Sequence, residues 1–105
     1  MLEKDIEKYF MRRVAQVGGR AYKFVSPSNR GVADRVVCLP DGTTHFVELK
    51  RPGGKLSPLQ RQFAIEMMTL GQSYDCIWSK EEVDQWILDH TSTMPQISFS
   101  VVTEQ

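Results

Sequence analysis

Glu48 and Lys50 stand two apart in the run Phe46-Val47-Glu48-Leu49-Lys50, and Asp34 precedes them across the turn Pro40-Asp41-Gly42. On a strand, residues two apart point to the same side of the sheet, so a carboxylate and an ammonium sit side by side there. A tight hairpin between the two segments would bring Asp34 beside Glu48. Two converging carboxylates and a backbone carbonyl suit a hard divalent cation, which takes oxygen ligands and keeps several waters. A lysine next to them can orient or help deprotonate a water, or stabilise a phosphate in the transition state. Together these parts match metal-assisted attack on a phosphodiester. The plain alternative is a surface hairpin with a cross-strand ion pair, and composition alone favours it.

The elements that must hold these residues can be read along the chain. Leu2, Ile6, Tyr9 or Phe10, Val14 and Val17 recur at helical spacing, which predicts a helix over residues 2–17 that Gly18-Gly19 stops. Strands are expected over 21–25, 32–39 and 43–49, the last two joined by Pro40-Asp41-Gly42 as a hairpin. Ser26 to Gly31 is a loop on composition. After the third strand comes a basic, glycine-rich loop, Lys50-Arg51-Pro52-Gly53-Gly54-Lys55. Ser57-Pro58-Leu59-Gln60 is a capping box with proline at the first helical position, opening a helix to about Leu70. A fourth strand over 73–78 and a last helix from Ser79-Lys80-Glu81-Glu82 to about His90 follow. The order α-β-β-β-α-β-α predicts an α/β fold, a mixed sheet flanked by helices. Ile97, Phe99 and Val101 in the tail alternate as a strand would, either completing the sheet or adding to a partner's edge.

The chain has 105 residues with 41% hydrophobic and 25% charged, which fits one soluble globular domain and excludes disorder. No apolar run approaches a membrane span, and the charged start Met1-Leu2-Glu3-Lys4-Asp5 lacks the apolar region of a signal peptide. Cys38 and Cys76 are too few for a disulfide scaffold or a zinc cluster and read as small core residues, so an intracellular, cytoplasmic setting is expected. The formal net charge is zero, yet residues 12–61 hold ten Lys or Arg against three acids, and residues 62–105 hold one Lys against seven acids. A +7 centre followed by a −6 end points to an anionic ligand, with a merely solvated basic face as the rival. His45 and His90 are isolated in sequence and are expected to be structural or solvent-facing. Trp78, Trp86, Phe63 and the pair Met67-Met68 are expected in the core.

With these residues assembled, the chain resembles the VRR-NUC family of the PD-(D/E)xK nuclease superfamily. The resemblance rests on Glu3, Gly31-Val32-Ala33-Asp34-Arg35, Phe46-Val47-Glu48-Leu49-Lys50, Pro52-Gly53-Gly54-Lys55 and Leu56-Ser57-Pro58-Leu59-Gln60, across about residues 3–78. The bare Asp…Glu-x-Lys pattern is weak, whereas the continuous run from Phe46 to Gln60 is specific. Ala33 stands where the family motif has proline, which would only stiffen the backbone there. The resemblance implies a restriction-endonuclease-like core over residues 1–90, with 91–105 as a tail. It implies Asp34 and Glu48 as ligands of Mg²⁺ or Mn²⁺, the Leu49 carbonyl as a third, Glu3 approaching from the first helix, Lys50 by the attacking water, and Gln60 projecting into the site. Glu7, one turn beyond Glu3, competes for the first-helix role. Gln60 is equally explained by its capping position alone. Arg30, Arg35, Arg51, Lys55 and Arg61 are the candidate phosphate contacts. No small-molecule cofactor and no membrane partner are expected. With no separate sequence-reading module, the implied activity is structure-specific cleavage of branched DNA by a homodimer, as in small phage-type members that cut four-way junctions. The rivals are a less specific nickase or flap nuclease and a catalytically silent DNA-binding protein.

Overall fold

The computed structural model describes residues 1–91. It contains helix α1 (Glu3–Gln16), strands β1 (Arg20–Lys23), β2 (Arg35–Cys38) and β3 (Thr44–Leu49), helix α2 (Pro58–Thr69), strand β4 (Ser73–Ile77) and helix α3 (Lys80–Thr91). The α-β-β-β-α-β-α order expected from the sequence is present. The strands form one sheet in the order β1-β2-β3-β4, antiparallel except for the parallel pair β3–β4. A parallel pair cannot be closed by a tight turn, and α2 supplies the crossover that it requires.

The pleat of β3 divides the molecule. His45, Val47 and Leu49 face α1 and α3, where Ile6, Phe10 and Val14 meet Val83, Trp86 and Ile87 in the main core. Spacing of four along α1 puts its three apolar residues on one stripe, and each such side chain stabilises by roughly 1.5–3 kcal/mol when fully buried. Phe46 and Glu48 face the other way, towards α2. There Phe46 packs against Phe24 and Phe63, and Phe63 against Tyr74. The chemistry-bearing side of β3 is therefore the α2 side, and the α1–α3 side is the packed base beneath it.

Several expectations change at the level of packing. The strand expected over 32–39 begins only at Arg35, because the chain before it turns against α2. Gly31 is buried, and a Cβ there would lie 2.2 Å from the Leu59 carbonyl oxygen. Cys38 is exposed rather than core, since it lies at the hairpin end of the sheet opposite Thr44 and Arg20. His45 and His90 are not isolated: their ring centroids are 4.7 Å apart, and His45 is buried with a ring nitrogen 2.6 Å from Ser73 Oγ. Met68 is exposed, whereas Phe63 and Trp86 are buried as expected. Phe10 belongs to the core, and Met11 beside it is exposed. Ile97, Phe99 and Val101 lie outside the described residues. Among the described residues no helix is long and apolar enough to cross a membrane.

Candidate active site

Asp34 ends a loop that is tied down at several points. Asn29 Oδ1 accepts from the Gly31 N–H at 3.1 Å, Gly31 packs on Leu59, and the Phe24 N–H donates to the Asp34 carbonyl at 2.9 Å, extending the β1–β2 ladder by one bond. The Asp34 side chain then reaches across to β3, where Oδ2 accepts the Leu49 N–H at 2.9 Å. This bond fixes the carboxylate at the end of β3, next to Glu48.

Glu48 is 1% exposed. Its Oε2 accepts from Gln60 Nε2 at 3.2 Å and lies 3.7 Å from Lys50 Nζ. Its Oε1 is buried with no hydrogen-bond partner among the described residues. Burial is the main reason that its acidity is suppressed, from 4.5 to about 8; the adjacent Asp34 carboxyl adds to this, Lys50 opposes it, and the charge of Glu3 adds a little. Two carboxyl groups therefore share a site that holds a proton in the absence of a cation.

Gln60 serves both readings at once. Its Oε1 accepts the Ser57 N–H at 2.8 Å while Ser57 Oγ accepts the Gln60 N–H at 3.1 Å, a complete capping box. The same cap fixes the amide so that its NH₂ donates to Glu48. Glu3 is exposed in the first turn of α1, near enough for its charge to act on Glu48. Glu7, its rival from the sequence, is ion-paired with Arg35 at 3.3 Å.

Among the candidate phosphate contacts, Arg30, Arg51, Lys55 and Arg61 are exposed. Arg35 is not: its side chain is only 11% exposed and is held by Glu7 and by the Ala21 carbonyl at 3.4 Å. It is a strut between β2 and α1, and its guanidinium is directed inward. The loop carrying Arg51 and Lys55 is folded back by the Gly54 N–H donating to the Arg51 carbonyl at 2.9 Å, with Gly53 at φ 82°, a conformation that glycine adopts without penalty. Trp78 Nε1 donates to the Gly54 carbonyl at 2.7 Å and pins that loop to the end of β4.

Three neighbours were not read as site residues from the sequence: Tyr74, and Cys76 and Trp78, which were expected only in the core. Cys76 is paired in register with Glu48, and burial pushes its thiol up to about 12, with the Glu48 charge adding to it. Tyr74 is likewise raised, by burial first and then by Glu48. The strand alternation of 74, 76 and 78 was visible, but not that β4 lies beside β3.

No three His, Cys, Asp or Glu side chains converge as a ligand set among the described residues. The pair Asp34 and Glu48 does converge, and the unpartnered Glu48 Oε1 is the kind of atom that a cation would satisfy. Two carboxylates and the Leu49 carbonyl are a donor set of hard oxygens, which fits an octahedral ion that keeps most of its waters.

No family model matches the sequence. A phage protein named "Putative nuclease p44", from Acyrthosiphon pisum secondary endosymbiont phage 1, is 49% identical over 69 residues, covering 66% of this chain and 74% of that protein. A solved structure described as a VRR_NUC domain superposes with a TM-score of 0.77 at 28% identity, over 84% of this chain and 95% of its own. A chain with this sheet, this α2 crossover and these relatives belongs to the VRR-NUC nucleases, as a small member of the phage type.

Proposed function

We propose that the protein is a divalent-metal-dependent DNA endonuclease that hydrolyses phosphodiesters of branched DNA, acting as a homodimer on four-way junctions. The observation that carries the metal-dependent reading is the buried Glu48 carboxyl beside Asp34, which has one oxygen on Gln60 and Lys50 and the other without a partner among the described residues. Such a group is costly unless a cation completes it. Asp34, Glu48 and the Leu49 carbonyl would hold Mg²⁺ or Mn²⁺, with Glu3 contributing from α1 through a water. When bound, that ion supplies Lewis acidity to the phosphoryl oxygen and lowers the pKa of a bound water.

The chain's own residues do the rest. The Leu49 N–H holds Asp34 Oδ2, which leaves the other oxygen of Asp34 for a ligand. Gln60, fixed by its cap, keeps Glu48 in one rotamer. Lys50 carries its ammonium to the mouth of the site, where it can steady the attacking water and the charge building on the phosphate. Arg30, Arg51, Lys55 and Arg61 would neutralise flanking phosphates.

The test is a panel of plasmid, linear, flap and four-way-junction DNA with Mg²⁺, with Mn²⁺ and with chelator. Cleavage that needs the ion and favours the junction is expected. Activity that survives chelation would end the metal reading, and equal cutting of linear duplex would end the junction reading.

A further inference from the structure

The two flanks of α1 face different neighbours. One carries Glu3 and Glu7, and Glu7 meets Arg35 of β2. The other carries Asp5, Tyr9 and Arg12 and faces the start of α3. On that second flank Met1, Asp5, Lys8, Tyr9, Arg12 and Lys80 line an open cavity of about 300 Å³, at the lower end of ligand-binding sites (~300–1,000 Å³).

Two cations meet there over one aromatic ring, and Lys8 lines the same cavity. The Arg12 guanidinium carbon is 5.3 Å and Lys80 Nζ is 5.4 Å from the Tyr9 ring centroid, both within cation–π range. The ring is itself fixed, because Tyr9 Oη donates to Asp84 Oδ1 at 2.7 Å. Asp84 is also engaged by Arg13 Nε at 3.0 Å, so its charge is matched by a cation outside the cavity. The one carboxylate at the rim, Asp5, accepts the Leu2 N–H at 3.2 Å and caps its own helix. Among the described residues no carboxylate pairs with Lys8, Arg12 or Lys80 within 4.0 Å. Three like charges gathered against one carboxylate repel, and an anion seated between them relieves that repulsion.

Position says which anion. Lys80 follows Ile77 by three residues, and Ile77 pairs with Leu49 at the same sheet end as the catalytic carboxylates. We propose that the Lys8–Tyr9–Arg12–Lys80 cavity is a second phosphate site for the DNA backbone, separate from the cleavage site. The inference rests on the DNA-nuclease reading and assigns to it residues outside the glycine-rich loop. Tyr9 holds Arg12 and Lys80 over its faces and leaves their N–H donors for phosphate oxygens.

The experiment compares the wild-type protein with the triple variant Lys8→Ala/Arg12→Ala/Lys80→Ala on two labelled duplexes. One is too short to leave the cleavage site, and the other extends several nucleotides to each side. Binding is followed across a salt series, with thermal melts as the folding control. The triple variant should bind the long duplex at least tenfold more weakly and lose about 2–3 units of the salt slope, since each phosphate contact contributes ~0.9. The short duplex should be bound alike by both proteins. Arg12→Lys alone should keep most of the wild-type affinity, since it keeps the charge over the ring. If the triple variant does not fold, Lys80→Gln alone carries the test, with an expected loss of about one unit of slope. Equal slopes for both proteins on the long duplex would overturn the inference. Equal weakening on both duplexes would do so too, because the cavity would then not be a separate site. If the wild-type protein neither binds nor cuts DNA, the nuclease reading fails first and takes this one with it.

Discussion

A carboxylate buried at 1% exposure with one unsatisfied oxygen makes the metal-free protein sensitive to pH in a definite direction. In the folded chain Glu48 keeps its proton up to about 8, whereas the unfolded chain releases it near 4.5. Between those values the native state binds more protons, so stability falls as pH rises through the window. The stabilising contribution is fully present below pH 4.5 and is lost by about pH 8. Thermal melts without divalent ions should show this decline, and Glu48→Gln should flatten it. Added Mg²⁺ or Mn²⁺ should raise the melting temperature most at the alkaline end, where no proton need be displaced. A Glu48→Gln protein that keeps the wild-type slope would remove Glu48 from that role. Gln60 allows a second test, because its two functions can be separated. Gln60→Glu retains an acceptor at the third helical position and so keeps the cap. It also replaces a donor to Glu48 with another carboxylate. Melting should change by less than about 1 kcal/mol in the presence of the ion, while turnover should fall at least tenfold. Gln60→Ala, which loses the cap as well, should lower both.

At the scale of elements, the site depends on a close approach between two segments that the chain separates widely. Gly31 lets the loop before Asp34 rest on the first turn of α2, which also carries Gln60. A methyl group at Gly31 would sit 2.2 Å from the Leu59 carbonyl oxygen, and backbone on both sides must move to admit it. Gly31→Ala should cost about 1–3 kcal/mol in denaturant melts. It should also weaken divalent-ion binding, measured by calorimetry, because Asp34 and Gln60 shift together. Unchanged ion affinity in a destabilised protein would show that the loop does not position Asp34. This dependence also explains what was legible beforehand. The element order, the hairpin, the capping box at Ser57 and the Glu48–Lys50 pairing follow from local periodicity and turn chemistry, which sequence carries directly. The inward turn of Arg35, the late start of β2, the exposure of Cys38 and the His45–His90 contact depend on which segments become neighbours. Nothing within a few residues of those positions encodes that. The choice between Glu3 and Glu7 is of the same kind. Both lie on one helical face, and only the placement of Arg35 on β2 gives Glu7 its ion pair.

For the whole molecule, the charge segregation seen along the chain becomes a segregation in space. The exposed cations Arg51, Lys55 and Arg61 lie on the glycine-rich loop and the start of α2, while Glu81, Glu82 and Asp89 are exposed on α3 across the sheet. A nucleic acid is then attracted to that loop and helix start and repelled from the Glu81, Glu82 and Asp89 flank of α3, which orients the encounter before contact and makes its rate fall with ionic strength. One such chain has one Asp34/Glu48/Lys50 site, and resolving a four-way junction requires two incisions on opposing strands. Two chains related by a two-fold axis would match the symmetry of that substrate and set two equal sites at a fixed separation. The expected particle at micromolar concentration is therefore a dimer of 12.0 kDa chains, read by sedimentation or light scattering. A mixed dimer of wild-type and Asp34→Asn chains should nick one strand of a junction and leave the opposing strand intact. Homodimers of the wild type should release paired, symmetric products. A monomer that still makes paired cuts would separate the catalytic reading from the dimer and leave only the former standing.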